Sequence, residues 1–103
     1  ILGNQGPAKF VNASRLAPAG IAWQAKVRIV GPGNDGPTAE WIPLESLYVT
    51  PRTNAQGHIS LRPGQFVSHV WLPDPGRYRS ATYEVLQTTG LDWPLAAAAV
   101  RLD

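Results

Sequence analysis

The chain has 103 residues, nine basic and seven acidic, for a net charge of +2, with 44% hydrophobic residues and ten each of glycine and proline. That is one small domain or a piece of a larger one, too apolar for intrinsic disorder and without the run of about 18 apolar residues that a membrane span needs. Zero cysteines exclude disulfides, thiolate catalysis, iron–sulfur ligation and cysteine-bound zinc, which fits a reducing, cytoplasmic setting.

Ile1 to Phe10 shows no basic segment followed by an apolar one, so no secretory signal is read there. With no methionine, the chain has the look of a processed chain or an excised domain. Leu16 to Ala25 places Leu16, Gly20 and Trp23 near one helical face, with Ile21 beside them. Ser14 is the expected N-cap and Pro18 falls in the first turn. Lys26 to Val30 and Ala39 to Ile42 read as a hairpin around Gly31 to Pro37, with a loop longer than two residues. Pro43 suits the first position of a second short helix, Leu44 to Tyr48, which Pro51 ends.

Arg52 to Gly57 is a polar loop, and Leu61 to Gln65 reads as a turn. Phe66 to Leu72 is the clearest strand, closed by Pro73-Asp74-Pro75-Gly76. Ser80 to Gln87 is a further strand. Leu95 to Leu102 stays open between strand and helix, because its alanines favour helix while Trp93-Pro94 and its length do not decide. The expected fold is α+β, with a small, mainly antiparallel sheet and one or two short helices.

Chemistry is sparse in the residues themselves. His58 sits in a loop; His69 is placed mid-strand on a face shared with Val67 and Trp71. No local spacing gives three or four metal ligands. The serines lack a nucleophile-elbow context, the carboxylates form no catalytic pair, and Gly3-Asn4-Gln5-Gly6 is a weak phosphate cradle that reads as a turn. Asn12-Ala13-Ser14 matches a glycosylation sequon, relevant only in a secreted protein. Arg77-Tyr78-Arg79 joins base and ring, but nucleic-acid binding calls for a wider basic surface. The four tryptophans are expected in core or interface.

Read together, four segments resemble the FAD-binding medium subunits of molybdenum hydroxylases, the xanthine dehydrogenase and carbon monoxide dehydrogenase family. Phe10-Val11-Asn12-Ala13-Ser14-Arg15-Leu16-Ala17-Pro18-Ala19, running on to Ala25-Lys26-Val27, is similar to the segment after the flavin loop. Ile42-Pro43-Leu44-Glu45-Ser46-Leu47-Tyr48 resembles Val-Pro-Leu-Glu-Asp-Phe-Phe. Leu61-Arg62-Pro63-Gly64-Gln65-Phe66-Val67 resembles Leu-Arg-Pro-Gly-Glu-Ile-Val, and Leu91-Asp92-Trp93-Pro94-Leu95-Ala96 resembles Phe-Asp-Trp-Pro-Leu-Ala. The resemblance spans nearly the whole chain but only the later part of such a subunit.

It implies residues 1–75 as part of an FAD-domain-like lobe and residues 76–103 as the first strands of a C-terminal subdomain, joined in one compact unit. It also implies a family role: holding FAD and passing electrons from iron–sulfur clusters to an acceptor, while a molybdenum subunit oxidises substrate. Leu61 matches a leucine close to the flavin, and Ser14 matches the serine of His-Pro-Ser-Asp. Two charges depart from the pattern: the family's aspartate falls on Arg15 and its lysine on Glu84, while its following arginines fall on Leu86 and Thr88. From these departures we expect no FAD on this chain alone, no catalysis by it, and a non-catalytic binding role. Self-association as a homodimer is expected, with Phe66, Val70 and Trp71 as candidate contacts. Molybdenum and iron–sulfur subunits are partners only if the chain belongs to a larger assembly; membrane and nucleic-acid partners are not expected.

Overall fold

The structure is a computed structural model, and it describes residues 14–53, 56–88, 90 and 92–103. The Gly3–Gly6 turn, the sequon's Asn12-Ala13 and Leu91 lie outside the described residues. Two antiparallel sheets and a short helix make an α+β fold, as expected. The order is α1 (Ala17–Ala22), β1 (Lys26–Gly33), β2 (Gly36–Pro43), a 3-10 helix (Leu44–Leu47), β3 (Phe66–Trp71), β4 (Arg79–Leu86) and β5 (Pro94–Leu102). One sheet runs β2-β1-β3 and the other pairs β4 with β5.

α1 is shorter than the expected 16–25. Its first N–H, on Ala17, donates to Ser14 Oγ at 3.2 Å, so Ser14 serves the helix start from two residues ahead of the capping position, Leu16. The helix stops because Gln24 takes φ 55. Gln24 N–H then donates to Ile21 at 2.9 Å and Ala25 N–H to Gly20 at 2.8 Å. These are the paired bonds of a Schellman ending, which usually carries glycine at the left-handed position. The chain therefore turns sharply into β1 instead of continuing the helical face.

β1 is the central strand, and its burial alternates, with Val27, Ile29 and Gly31 buried. The β1–β2 hairpin pairs from Lys26↔Pro43 to Gly33↔Gly36, so the connection is the two residues Asn34-Asp35, tighter than the expected loop. Gly36 makes this possible by taking φ 124, which side chains disfavour. Pro43 lies one residue before the 3-10 helix with extended ψ 140, not at its first position. Leu44 N–H donates to the Ala25 carbonyl at 2.8 Å. The helix ends at the extended Tyr48, which bridges Ile59, well before Pro51.

The core lies under one face of this sheet. Val27, Ile29 and Leu47 form its buried centre, ringed by Ile42, Leu44, Tyr48, Leu61 and Val67. Pairing of β3 with β1 runs Lys26↔Trp71, Val27↔Val70 and Arg28↔His69, then shifts to Ile29↔Val67 and Val30↔Phe66. Ser68 is the extra residue of a β-bulge, and its Oγ donates to the Arg28 carbonyl at 3.2 Å. The bulge turns Val67 to the core face beside Ile29. His69 and Trp71 therefore share the opposite face, and the expected grouping of His69 with Val67 does not hold.

Leu95 to Leu102 is a strand. Its pairing with β4 runs from Arg79↔Leu102 to Leu86↔Pro94, with a shift beside Val85 and Leu86. Cross-strand pairing outweighs the helical preference of four alanines.

Three stability outcomes follow from the backbone. A Cβ on Gly31 would stand 2.6 Å from Gln65 Cγ and 3.2 Å from Gln65 Cα, so Gly31→Ala should cost about 1–3 kcal/mol through overpacking. Gly57 has open space around it, and Gly57→Ala should leave the urea midpoint unchanged or raised. Gln24→Gly should stabilise the chain by about 1 kcal/mol, since a non-glycine left-handed residue is relieved; an unchanged midpoint would contradict that account of the helix ending.

Candidate functional site

β4–β5 has two unlike faces. Pairing places Glu84, Thr82 and Ser80 on one face with Arg101, Ala99 and Ala97, and this face meets α1. The guanidinium of Arg15, just before α1, donates from Nε to both Glu84 carboxylate oxygens at 3.1 and 3.0 Å, and Nη2 closes the ion pair. Hydrogen bonds from Arg15 and, less, its charge hold the Glu84 carboxyl below the usual range, partly offset by desolvation. At the far end of α1, Arg101 Nη1 donates to the Trp23 carbonyl at 3.4 Å. The same guanidinium lies 4.4 Å from the Tyr78 ring centroid and 5.6 Å from that of Trp23, and the two rings meet edge to face.

The opposite face carries Ala81, Tyr83 and Val85 against Val100, Ala98 and Ala96, with Arg79 and Leu102 at one end. Tyr83 is 74% exposed, and Val85, Val100 and Leu102 are also exposed. Between Ala81 and Val85 this face has no charge. The turn beyond it is fixed by Asp92, which accepts from Thr88 N–H at 3.2 Å, Thr88 Oγ1 at 2.8 Å and Trp93 N–H at 2.8 Å. The Thr88 hydroxyl and then the Trp93 amide lower the Asp92 carboxyl below its ordinary value.

The three-stranded sheet also has a face away from its core. Cross-strand rows place Trp41, Arg28 and His69 together, then Pro43, Lys26 and Trp71, then Ala39, Val30 and Phe66. Trp41 and Trp71 are about half exposed and Phe66 more so. Trp41 and His69 rings are 6.5 Å apart, and Lys26 Nζ lies 5.5 Å from the Trp71 ring centroid. Trp23 is half-buried and Trp93 exposed, so no tryptophan belongs to the buried core.

The residues singled out by resemblance are not gathered into one pocket wall by any contact of theirs. Leu61 packs beside the Val27–Ile29–Leu47 core, which explains an apolar residue there without a ligand. Ser14 Oγ is engaged by Ala17 N–H, leaving its hydroxyl hydrogen for any flavin. These two residues fit a stretch of flavin wall at most and supply no phosphate cradle. Phe66 and Trp71 share the outer face of their sheet, while Val70 pairs with Val27 on the other side, so the three do not form one patch. Among the described residues, no three His, Asp or Glu are placed to hold a metal ion, and no helix is long and apolar enough to cross a membrane. Sequence reasoning weighed Arg15 and Glu84 separately and missed their contact; opposite charges at two family-departing positions were the available signal. No protein-family model matches the chain, and no curated protein matches it significantly.

The ion pair makes a signed prediction. Glu84 has a lowered folded-state pKa, so its stabilisation is complete above the unfolded carboxylate range and is lost as pH falls through the folded value. The urea midpoint should fall as pH drops from neutrality through that range, and less so in Glu84→Gln, with Asp92 adding a residual of the same sign. Arg15→Asp or Glu84→Lys alone should destabilise, and the double variant should recover most of the loss. Additive losses in that cycle would refute a direct Arg15–Glu84 interaction.

Proposed function

We propose that this chain is a flavin-domain-like α+β unit acting as a non-catalytic binding module, with no FAD of its own, that self-associates as a homodimer. The observation that carries the reading is the outer face of β4–β5. Seven apolar residues, Ala81, Tyr83, Val85, Ala96, Ala98, Val100 and Leu102, share it, and its large side chains are open to solvent. A contiguous apolar face of this kind gains free energy when another protein surface removes it from water. A twofold axis sets a patch against itself, and an uncharged centre lets that happen without like charges meeting. The alanines keep the face low enough for two sheets to approach.

A second reading has one specific observation in its favour. The resemblance puts an aspartate where Arg15 stands and a lysine where Glu84 stands. Here the signs are exchanged and the two side chains are in contact. Because Arg15 and Glu84 neutralise each other, these departures do not by themselves count against a flavin. On that reading the chain is part of an FAD-dependent electron-transfer subunit of a xanthine or carbon monoxide dehydrogenase-type oxidoreductase. Its own residues would supply packing beside the flavin through Leu61.

Light scattering coupled to size exclusion tests the first reading: the wild type should run as a dimer, and Tyr83→Lys as a folded monomer. A wild-type monomer would sink self-association. Titrating FAD into the same samples should leave the flavin absorbance unshifted; binding at micromolar affinity or tighter would favour the second reading.

A further inference from the structure

We propose that the outer face of the β2-β1-β3 sheet is a binding site for single-stranded nucleic acid. The inference is independent of the β4–β5 face. Three features converge on it. The rings of Trp41, Phe66 and Trp71 are exposed together on one face of the sheet. Lys26 and Arg28 rise from the central strand between them, Arg28 in the Trp41–His69 row and Lys26 in the Trp71 row. The only carboxylate within the three strands, Glu40, pairs with Ile29 and so points to the opposite side.

The chemistry matches one ligand class. Exposed indole and phenyl rings stack on bases of any sequence, while cations beside them neutralise phosphates. Rows along a strand are two residues, about 7 Å, apart, so rings and cations alternate over the surface as bases and phosphates do along a strand. Lys26, with its Nζ 5.5 Å from the Trp71 centroid, already sets a cation beside a ring. A purely apolar partner would leave Lys26 and Arg28 opposite nothing; a polyanion with π-faces satisfies both. A duplex hides its base faces, so the platform selects single strands. Arg77-Tyr78-Arg79 plays no part, since Tyr78 is held by Arg101 and Trp23.

The experiment is a titration of the whole chain with oligo(dT), followed by tryptophan fluorescence at low salt. Binding should quench the emission, exceed that of a duplex of equal length, and weaken with salt at a log–log slope of about −1.4, the value for two phosphates on a single strand. Trp41→Ala and Trp71→Ala should each weaken binding about tenfold, with far-UV circular dichroism unchanged. Lys26→Gln/Arg28→Gln should flatten the salt slope toward zero and serves as the test if either tryptophan variant fails to fold. Arg77→Gln should bind as the wild type does, with the same salt slope, which separates this site from the Arg77-Tyr78-Arg79 segment. No quenching at low salt, equal affinity for duplex, or binding indifferent to both tryptophans would overturn the proposal. So would a dimer that Trp71→Ala dissociates, because the face would then belong to a second copy.

Discussion

One extra residue in β3 decides what each face of the larger sheet is made of. Val67 and Val70 are three apart, a spacing that a regular strand sends to opposite sides. β1 needs partners for both Ile29 and Val27 on its core side. The Ser68 bulge reconciles the two, and its hydroxyl bond to Arg28 satisfies the carbonyl that the shifted ladder leaves beside it. Phe66, His69 and Trp71 are thereby committed together to the other side. The core and the ring-and-cation face are two results of a single register change, so neither can be altered there without the other.

The smaller sheet is tied to the rest through two arginines. Arg15 and Arg101 reach it at opposite ends of α1, one toward a carboxylate and one toward a carbonyl and two rings. An exposed ion pair is individually weak and screened by salt, yet the Arg15–Glu84 pair at one end of a six-residue helix and the Arg101 contacts at the other fix an orientation that a single one could not. This division explains the contrast between the hairpin's faces. Apart from Arg79 at one end, the charged and small polar residues face α1, and the outside is made of Tyr83, Val85, Val100, Leu102 and alanine.

Much of this was legible in the sequence, for local reasons. The Phe66 and Arg79 strands announce themselves by β-prone residues between proline-rich turns, and the β1–β2 hairpin by its glycines. What escaped was set by non-local geometry or by atypical residues. Gln24 ends a helix in a conformation that sequence reasoning reserves for glycine. The Asn34-Asp35 turn looked longer because Gly31, Pro32 and Gly33 read as loop, whereas they stay in register with β2. The alanines of β5 were undecided because cross-strand pairing, not intrinsic preference, determines them. Of the candidate site, Leu61 and Ser14 came from resemblance, and the structure gives each a packing or capping role. The ion pair spans 69 positions, beyond any local pattern. The ring-and-cation face needed the bulge to be seen at all.

Among the described residues β5 pairs with β4 alone, and from Leu95 to Val100 it presents small or apolar residues without a charge. Edge strands are ordinarily blunted by lysine, proline or a bulge. β2 carries Pro37 and Pro43 near its ends and β3 its bulge, and β5 has Pro94 and a register shift at its start, but Ala96 to Val100 carries no such device. Its outward row of amide and carbonyl groups is a template on which an extended segment of another polypeptide can be added as a third strand. The hairpin is thus open to growth sideways in its own plane, a mode of assembly distinct from stacking and one that reads backbone more than side chains.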